Sequence, residues 1–142
     1  MSCLNDCRII PLPKIPDDRG NLTFIEAGSP LPFVIQRTYW IYDVPGGEVR
    51  GGHAYQALQE FIVALSGSFN VVLDDGKERK IISLNRSYFG LYVPNMIWRH
   101  LENFSTNAVC IITASLPYSE DDYIRDYDSF IHLVTEEDSC RD

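Results

Sequence analysis

The sequence is short of basic residues and contains no long apolar run. Its 12 lysines and arginines are outnumbered by 20 aspartates and glutamates, which gives a net charge of −8 at pH 7. Because affinity for nucleic acids and anionic membranes comes mostly from Lys and Arg, this balance argues against both as nonspecific partners. The longest apolar runs, such as Phe61–Leu65, are far shorter than the roughly 20 residues of a transmembrane helix. A small anionic ligand remains compatible with the charge, since a few arginines can converge in one pocket.

Paired cysteines and a secretion signal are also missing. The cysteines show neither a C-x-x-C pair nor a regular spacing; they are Cys3, Cys7, Cys110 and Cys140. We therefore favour free thiols in a reducing cytoplasm over disulfides. The N-terminal stretch MSCLNDCRII has no basic segment followed by an apolar one, so we expect no signal peptide and a cytoplasmic location.

What the sequence does contain is a series of short β-strand patterns. Its 142 residues and 45% hydrophobic content suit one globular domain with a sizeable core. Segments rich in Val, Ile, Phe, Tyr and Thr alternate with turn signals; they are NLTFIEA, FVIQRTYWIYDV, EFIVALSGSFNVVLDD, RKIISL, YFGLYVP and NAVCIITAS. No long helical period precedes residue 118. This pattern predicts an all-β antiparallel sandwich or barrel, with its core at about 9–117.

Two local structures are predicted in more detail. NVVLDDGKERKIISL is typical of a hairpin in which Asp75 and Gly76 supply the positive-φ turn residues. Near the end of the chain, apolar residues recur at intervals of three and four; they are Tyr123, Ile124, Tyr127, Phe130, Ile131 and Val134. Ser119 followed by three acidic residues suits a helix N-terminus, so we predict a short amphipathic helix over about 119–134.

Two motifs have the spacing of the metal-binding signatures of cupin barrels. H-x-Y-x4-E-x6-G, from His53 to Gly67, keeps every spacing but has Tyr55 where a second ligand histidine belongs. P-x-M-x2-R-x3-N, from Pro94 to Asn103, has Arg99 where another histidine belongs. First-row metals bind imidazole or carboxylate lone pairs, and a protonated guanidinium has none to offer. We therefore expect a cupin-type jelly roll that holds no metal.

The pocket of such a barrel keeps a histidine, a tyrosine and an arginine. His53 and Tyr55 are two residues apart on a strand, so their side chains point to the same face. An imidazole beside a phenol is suited to moving protons near neutral pH. A lone histidine on a strand is more often a packed or surface residue, but the cupin spacing around His53 and the Arg-Gly-Gly before it favour a functional role.

The sequence resembles the cupin-type (WxcM-like) 3,4-ketoisomerases, which act on dTDP-4-keto-6-deoxyglucose in deoxysugar biosynthesis. The resemblance covers nearly the whole chain; the segments are DRGNLTFIE, PFVIQRTYWIYDV, RGGHAYQALQEFIVALSGSFNVVLDDG, GLYVPNMIWRHLENF and ASLPYSEDDYIRDYDSF. It implies a homodimer with an active site inside each barrel, without metal or other cofactor. Members of the family usually have His-Ala-His, with both histidines in proton transfer, where this chain has Tyr55 in the second histidine's place.

The resemblance implies a reaction that moves a ketone from C4 to C3 of the sugar through an enediolate. It suggests His53 as base and shuttle, Tyr55 as its partner and Arg99 as the group that stabilises or orients the sugar oxygens. The substrate-binding candidates are Arg37 and Arg50 for the diphosphate, Tyr39 and Trp98 for the pocket walls, and Arg19 for the sugar side. A solvated surface charge is the alternative for each arginine, and core packing is the alternative for Tyr39 and Trp98.

Two other functions stay open from the sequence. Tyr55 in place of a histidine is compatible with a barrel that binds a nucleotide sugar without catalysis. The same pocket is also suited to epimerising a keto sugar, because related dTDP-sugar 3,5-epimerases use a His/Tyr pair. The residues do not decide between a gluco and a galacto 3-keto product, since that depends on the face from which C4 is reprotonated.

Overall fold

The computed structural model describes residues 2–28 and 30–141, with side chains up to residue 137. Short extended segments dominate it, because β-branched and aromatic residues favour a pleated, half-buried surface. The strands are β1 (Arg8–Pro11), β2 (Lys14–Ile15), β3 (Leu22–Thr23), β4 (Arg37–Ile41), β5 (Arg50–Tyr55), β6 (Glu60–Ser66), β7 (Phe69–Asp74), β8 (Arg79–Leu84), β9 (Phe89–Val93), β10 (Trp98–Glu102), β11 (Val109–Ala114) and β12 (Tyr123–Ile124).

Two antiparallel five-stranded sheets pack against each other and enclose the main core. The first sheet has the order β1-β9-β6-β11-β4 and the second β12-β5-β10-β7-β8, while β2 and β3 form a separate hairpin. Side chains from both sheets meet in the core; among them are Ile62, Leu73, Leu91, Leu101 and Ile112, each at most 1% exposed. Most neighbours in the two sheets are not consecutive in the chain, as in a jelly roll. The predicted all-β cupin-type barrel is confirmed.

Alternation along the strands decides which side chains enter the barrel. In β6, Ile62 and Ala64 belong to the core between the sheets, whereas Phe61 and Val63 pack outside it. This outer layer is formed with residues from the N-terminal part of the chain; they are Ile10, Leu12, Leu31 and Phe33. Glu60 follows the inner periodicity and is only 1% exposed, so a carboxylate is buried inside the barrel.

The β7–β8 hairpin is confirmed, although its loop is longer than a two-residue turn. Asp74 pairs with Arg79, so the loop comprises residues 75–78. Of the two residues predicted to have positive φ, Gly76 does, at 95°, and Asp75 does not. The Asp75 carboxylate instead accepts the backbone N–H groups of Lys77 and Glu78 at 2.9 Å, which stabilises the turn through a side chain.

The C-terminal helix, α1, spans Tyr127–Arg141 rather than the predicted 119–134. Its cap is Asp126, whose carboxylate accepts the backbone N–H of Ser129 at 2.9 Å. The residues before it form a 3-10 turn, Glu120–Asp122, and the short strand β12, Tyr123–Ile124, which pairs with β5. The predicted helix therefore began too early and ended too early. Its start was misplaced because the β12 residues also fit helical spacing, and their pairing partner, β5, is distant in the sequence.

The side chains of three cysteines are described, and each is buried or partly buried. Cys3, Cys7 and Cys110 are free thiols, while the side chain of Cys140 lies outside the described residues. In the part of the chain that the structure describes, no helix is long and apolar enough to cross a membrane.

Candidate active site

The inner faces of β5 and β10 bring His53 next to Arg99. The two residues are register partners in the antiparallel pair, so their side chains project to the same side of the sheet. Both are buried, with 7% and 2% of their surface exposed. Tyr55, two residues after His53, points to the same face and is also buried. The structure therefore brings together the three residues that the sequence suggested as catalytic.

A second tyrosine, Tyr123, completes a cluster of rings around His53. It lies opposite Tyr55 in the β12–β5 pair, and its ring centroid is 4.7 Å from that of Tyr55 and 4.9 Å from that of His53. The rings of His53 and Tyr55 meet edge to face at 4.8 Å, a favoured aromatic geometry. Tyr123 was not among the site residues predicted from the sequence, because no local signal indicates that it pairs with β5.

Two polar atoms at the centre of this cluster are buried without a hydrogen-bond partner. By distance and angle, neither Nε2 of His53 nor the hydroxyl of Tyr55 has a hydrogen-bond partner among the residues that the structure describes, although the hydroxyls of Tyr39 and Tyr123 lie close enough to that of Tyr55 to affect its pKa. An unpaired buried polar group costs about 1–3 kcal/mol, and native proteins contain few of them. Both atoms therefore keep a hydrogen-bonding capacity that no group in the described part of the chain satisfies.

Burial sets the protonation states of these two groups. Together with the positive charges of Arg99 and Arg125, burial lowers the pKa of His53 from 6.5 to about 2, against the opposing effect of Glu120. Burial also raises the pKa of Tyr55 far above its usual value of 10. At neutral pH, His53 is thus a neutral proton acceptor and Tyr55 is a protonated donor.

The lowered pKa of His53 should make the protein less stable in acid. Between the folded and unfolded pKa values, about 2 and 6.5, only the unfolded state binds this proton, so stability falls as the pH decreases from 6.5. One proton corresponds to about 1.4 kcal/mol per pH unit. Urea unfolding between about pH 4.5 and 6 should give a shallower decrease for His53→Asn than for the wild type, by up to this slope.

His132→Asn is the matched control for this measurement. The His132 side chain is 76% exposed on α1, so the variant removes a histidine without opening the buried cluster around His53. Equal slopes for the wild type and His53→Asn would contradict the lowered pKa.

Arg99 is held rigidly by a buried network. Its Nε and Nη2 atoms donate to the two carboxylate oxygens of Glu60, each at 2.9 Å, and Nη1 donates to the Gly51 carbonyl at 3.1 Å. The Tyr39 hydroxyl donates to Glu60 at 2.6 Å and accepts from Arg99 at 3.1 Å. Burial opposes the charge, but Glu60 raises the pKa of Arg99 well above its usual value. Of the five guanidinium N–H groups, one on Nη1 has no partner among the residues that the structure describes.

An ion pair thus occupies positions that belong to the two cupin signatures. Glu60 comes from the first motif and Arg99 from the second, and the guanidinium contacts both carboxylate oxygens. Gly51 makes room for it, because a Cβ at this position would collide with Nη1 of Arg99. Within the described residues, no group of three or more His, Cys, Asp or Glu side chains could hold a metal ion. The sequence motif contained Glu60 but did not indicate its partner.

The three candidate substrate-binding arginines lie in different places. The guanidinium of Arg37, on β4, is 4.5 Å from the Tyr39 ring and 5.2 Å from the Tyr118 ring. Its Nη1 atom is buried and has no hydrogen-bond partner in the described part of the chain. Arg50 is exposed at the start of β5, and Arg19 is 90% exposed between β2 and β3, paired with a neighbouring aspartate. Arg37 alone of the three combines a position beside the buried network with an available N–H group.

The two aromatic candidates lie on opposite faces of the barrel wall. Tyr39 reaches the buried network inside. Trp98 precedes Arg99 in β10 and therefore points outward, where its ring packs 5.3 Å from Tyr127 and 5.8 Å from Phe130. Trp98 does not line the site, contrary to its prediction as a pocket wall. Its role is core packing under α1, the alternative that the sequence left open.

Known proteins with similar sequences and folds form a consistent group. The family model described as "FdtA: WxcM-like, C-terminal" matches residues 5–135. A TDP-4-oxo-6-deoxy-alpha-D-glucose-3,4-oxoisomerase from Aneurinibacillus thermoaerophilus is 43% identical, over 87% of this chain and 88% of its own. A solved 3,4-ketoisomerase from Helicobacter canadensis has a TM-score of 0.89 and 39% identity, over 92% of this chain and 98% of its own. QdtA, a sugar 3,4-ketoisomerase from Thermoanaerobacterium thermosaccharolyticum in complex with TDP, has a TM-score of 0.92 and 36% identity, over 95% and 98%.

Proposed function

The chain belongs to the family described as FdtA, WxcM-like, C-terminal, and from this premise we propose that it is a sugar-nucleotide 3,4-ketoisomerase that converts dTDP-4-keto-6-deoxyglucose to a 3-keto-6-deoxyhexose. The substrate follows from the relative named for TDP-4-oxo-6-deoxyglucose and from the ketoisomerase bound to TDP. The observation that carries the proposal is the pair of unpartnered polar atoms inside the barrel, Nε2 of His53 and the Tyr55 hydroxyl.

His53 is assigned the proton transfers at carbon. Its neutral Nε2 removes the proton from C3, and the electrons of the C–H bond form an enediolate with the C4 carbonyl. The proton of the C3 hydroxyl then moves to the C4 oxygen, and the imidazolium protonates C4, which leaves the ketone at C3. The low pKa of His53 applies before the reaction. The negative enediolate beside the ring favours the imidazolium, so the base strengthens as charge develops.

Tyr55 and Arg99 are assigned to the sugar oxygens. Because the raised pKa of Tyr55 keeps its phenol protonated, the hydroxyl donates a hydrogen bond to the enediolate and relays the proton between the two oxygens. Arg99, whose charge is balanced by Glu60, contributes the remaining N–H group on its Nη1 atom. Such a preorganised donor stabilises developing charge without reorientation.

Arg37 is the first candidate for the diphosphate. Its unpartnered Nη1 and its position over two tyrosine rings suit a contact with a phosphate oxygen. Arg50 remains a second candidate for the diphosphate and Arg19 for the sugar side, and both are exposed. Tyr39 is assigned to the wall of the sugar pocket.

Incubation with dTDP-4-keto-6-deoxyglucose in deuterated water tests the proposal. A new 3-keto sugar is the expected result. Deuterium at C4 would show that the imidazolium proton exchanges with solvent before it reaches C4, and hydrogen at C4 would show direct transfer from C3. Exchange at C3 or C5 with the ketone kept at C4 would indicate an epimerase. Binding with neither a 3-keto product nor exchange would indicate a nucleotide-sugar-binding barrel. The configuration of the product at C4, by NMR, gives the face from which the proton arrives.

We further propose that the enzyme is a cytoplasmic homodimer that pairs through the outer face of the first sheet. The free thiols support a reducing compartment. Large apolar side chains stay exposed on or beside this face; they are Ile15, Leu22, Trp40 and Leu65, between 51% and 59% exposed. Of these four, Leu65 lines a hollow of about 730 Å³ on this face, together with Phe24, Ile25, Val63 and Ile111. Exposed apolar surface of this extent favours a symmetric contact between copies.

Sedimentation of the protein at micromolar concentration should therefore show a dimer. Leu65→Glu places a charge in the apolar face and should shift the protein to monomers. Ile81→Glu is the matched control, because Ile81 is 62% exposed on β8, in the other sheet, and should leave the dimer intact. A monomeric wild type, or an unchanged Leu65→Glu dimer, would contradict the proposed interface.

A further inference from the structure

The segment from Tyr118 to Arg125 forms one wall of the active site and is anchored firmly to the strand that carries His53. The Asp122 carboxylate accepts the backbone N–H groups of Ala57 and Leu58 at 2.8 and 3.0 Å, just after β5. Backbone pairing between β12 and β5 continues this attachment. The position of the wall relative to the histidine is therefore held by the Asp122 carboxylate and by the backbone pairing of β12 with β5.

Tyr123 is the residue of this wall that touches the base. On one side, the Tyr123 ring packs against the rings of His53 and Tyr55, with centroid distances of 4.9 and 4.7 Å. The guanidinium of Arg125 lies 4.1 Å from its ring centroid, and the carboxylate of Glu120 holds that guanidinium through two hydrogen bonds. The phenol ring is thus fixed between an ion pair near the surface and the buried imidazole.

We propose that Tyr123 is a positioning residue for His53, and that the Glu120–Arg125 pair holds its ring against the imidazole. The inference rests on the proposed function, since it concerns the base of that reaction. Edge-to-face and tilted ring contacts restrict how an imidazole can turn, and a proton transfer from carbon depends strongly on orientation. The ring also keeps water from the imidazole, which keeps the imidazole neutral before the substrate binds.

Several groups act on the charge of His53. Arg99 faces it from β10, and Arg125 and Glu120 act on it from the Tyr118–Arg125 wall. The phenols of Tyr55 and Tyr123 lie next to it. Burial contributes most to its lowered pKa. A smaller side chain at position 123 admits water, so the pKa of His53 should rise towards 6.5.

Three variants distinguish a positioning role of the Tyr123 ring from a direct role of its hydroxyl in proton transfer and from a general effect on the stability of the fold. Tyr123→Leu removes the ring, and Tyr123→Phe keeps the ring but removes the hydroxyl. Tyr127→Leu is the matched control, because Tyr127 packs outside the barrel against Trp98 and its hydroxyl donates to Asp74 at 2.7 Å. The readouts are kcat, KM and the titration of the His53 ring by NMR in the protein without substrate.

We expect Tyr123→Leu to lower kcat by about tenfold or more, with KM within about threefold, and to raise the pKa of His53. Tyr123→Phe should stay within about threefold of the wild type in kcat, and Tyr127→Leu should lose stability without changing kcat or the titration. Arg125→Met should have little effect on the stability of the fold, because this side chain is 54% exposed. It should lower kcat about two- to fivefold, the factor that corresponds to the energy of an exposed cation–π contact.

The proposal is overturned if Tyr123→Leu or Arg125→Met leaves both kcat and the His53 titration unchanged. It is also overturned if Tyr127→Leu lowers kcat as much as Tyr123→Leu, since stability alone then explains the loss. A large loss of kcat in Tyr123→Phe would also contradict the proposal, because the hydroxyl and not the ring would then be the group that the reaction needs. If the wild type does not isomerise the sugar, the proposed function fails, while the NMR titration still tests whether Tyr123 controls His53.

Discussion

Replacing His53 with asparagine should lower the turnover of dTDP-4-keto-6-deoxyglucose by roughly 10²–10⁴-fold, the usual contribution of a positioned acid–base group. Asparagine keeps part of the size and hydrogen bonding of the side chain, but it cannot accept the C3 proton. KM should change little, because Arg37 and Arg99 are untouched. Steady-state kinetics gives the turnover and KM. Deuterium exchange at C3 shows separately whether the variant can still remove the C3 proton.

The variant Tyr55→Phe tests whether the phenol takes part in the same proton transfer. If its hydroxyl relays the proton, Tyr55→Phe should cost about as much as His53→Asn. The double variant should then lose little more, because residues that act as one unit are not additive. A nearly silent Tyr55→Phe, together with a more active Tyr55→His, would mean that the tyrosine only fills the space of the family's second histidine.

His132→Asn is the control for both variants, because the His132 side chain is 76% exposed on α1 and far from β5 in the sequence. Its activity should equal that of the wild type. A fully active His53→Asn enzyme would refute the mechanism, whatever the behaviour of Tyr55.

Breaking the buried Glu60–Arg99 pair should destabilise the fold by about 3–5 kcal/mol. Each of these side chains is only 2% exposed, so Arg99→Met leaves a carboxylate buried without its partner, and Glu60→Gln leaves a guanidinium in the same situation. Urea unfolding should show a lower midpoint for either single variant with an unchanged slope.

The double variant Glu60→Gln/Arg99→Met should cost clearly less than the sum of the two single variants, because no buried charge is then left unpaired. Arg19→Met is the control, because it removes an arginine from an ion pair whose guanidinium side is 90% exposed, and its midpoint should stay at the wild-type value. Additive losses in the double variant would mean that the two side chains act independently.

The strand pattern and the histidine motif could be predicted from the sequence because their signals are local. Alternation with period two places His53 and Tyr55 on one face, and turn residues mark the ends of strands such as those of the β7–β8 hairpin. The same local information was insufficient near the C-terminus. The spacing of Tyr123 and Ile124 fits a helix as well as a strand, and only their pairing with β5 decides between them.

The sequence by itself therefore determined the all-β barrel, the family resemblance and the position of His53 and Tyr55 on one strand face, which all depend on residue types at short, regular spacings. The tertiary structure alone decided that Arg99 pairs with Glu60, that Tyr123 packs against His53 and that Trp98 faces outward under α1. These contacts join strands far apart in the chain. Their partners are chosen by sheet order, register and closure of the barrel, which depend on the packing of all strands together.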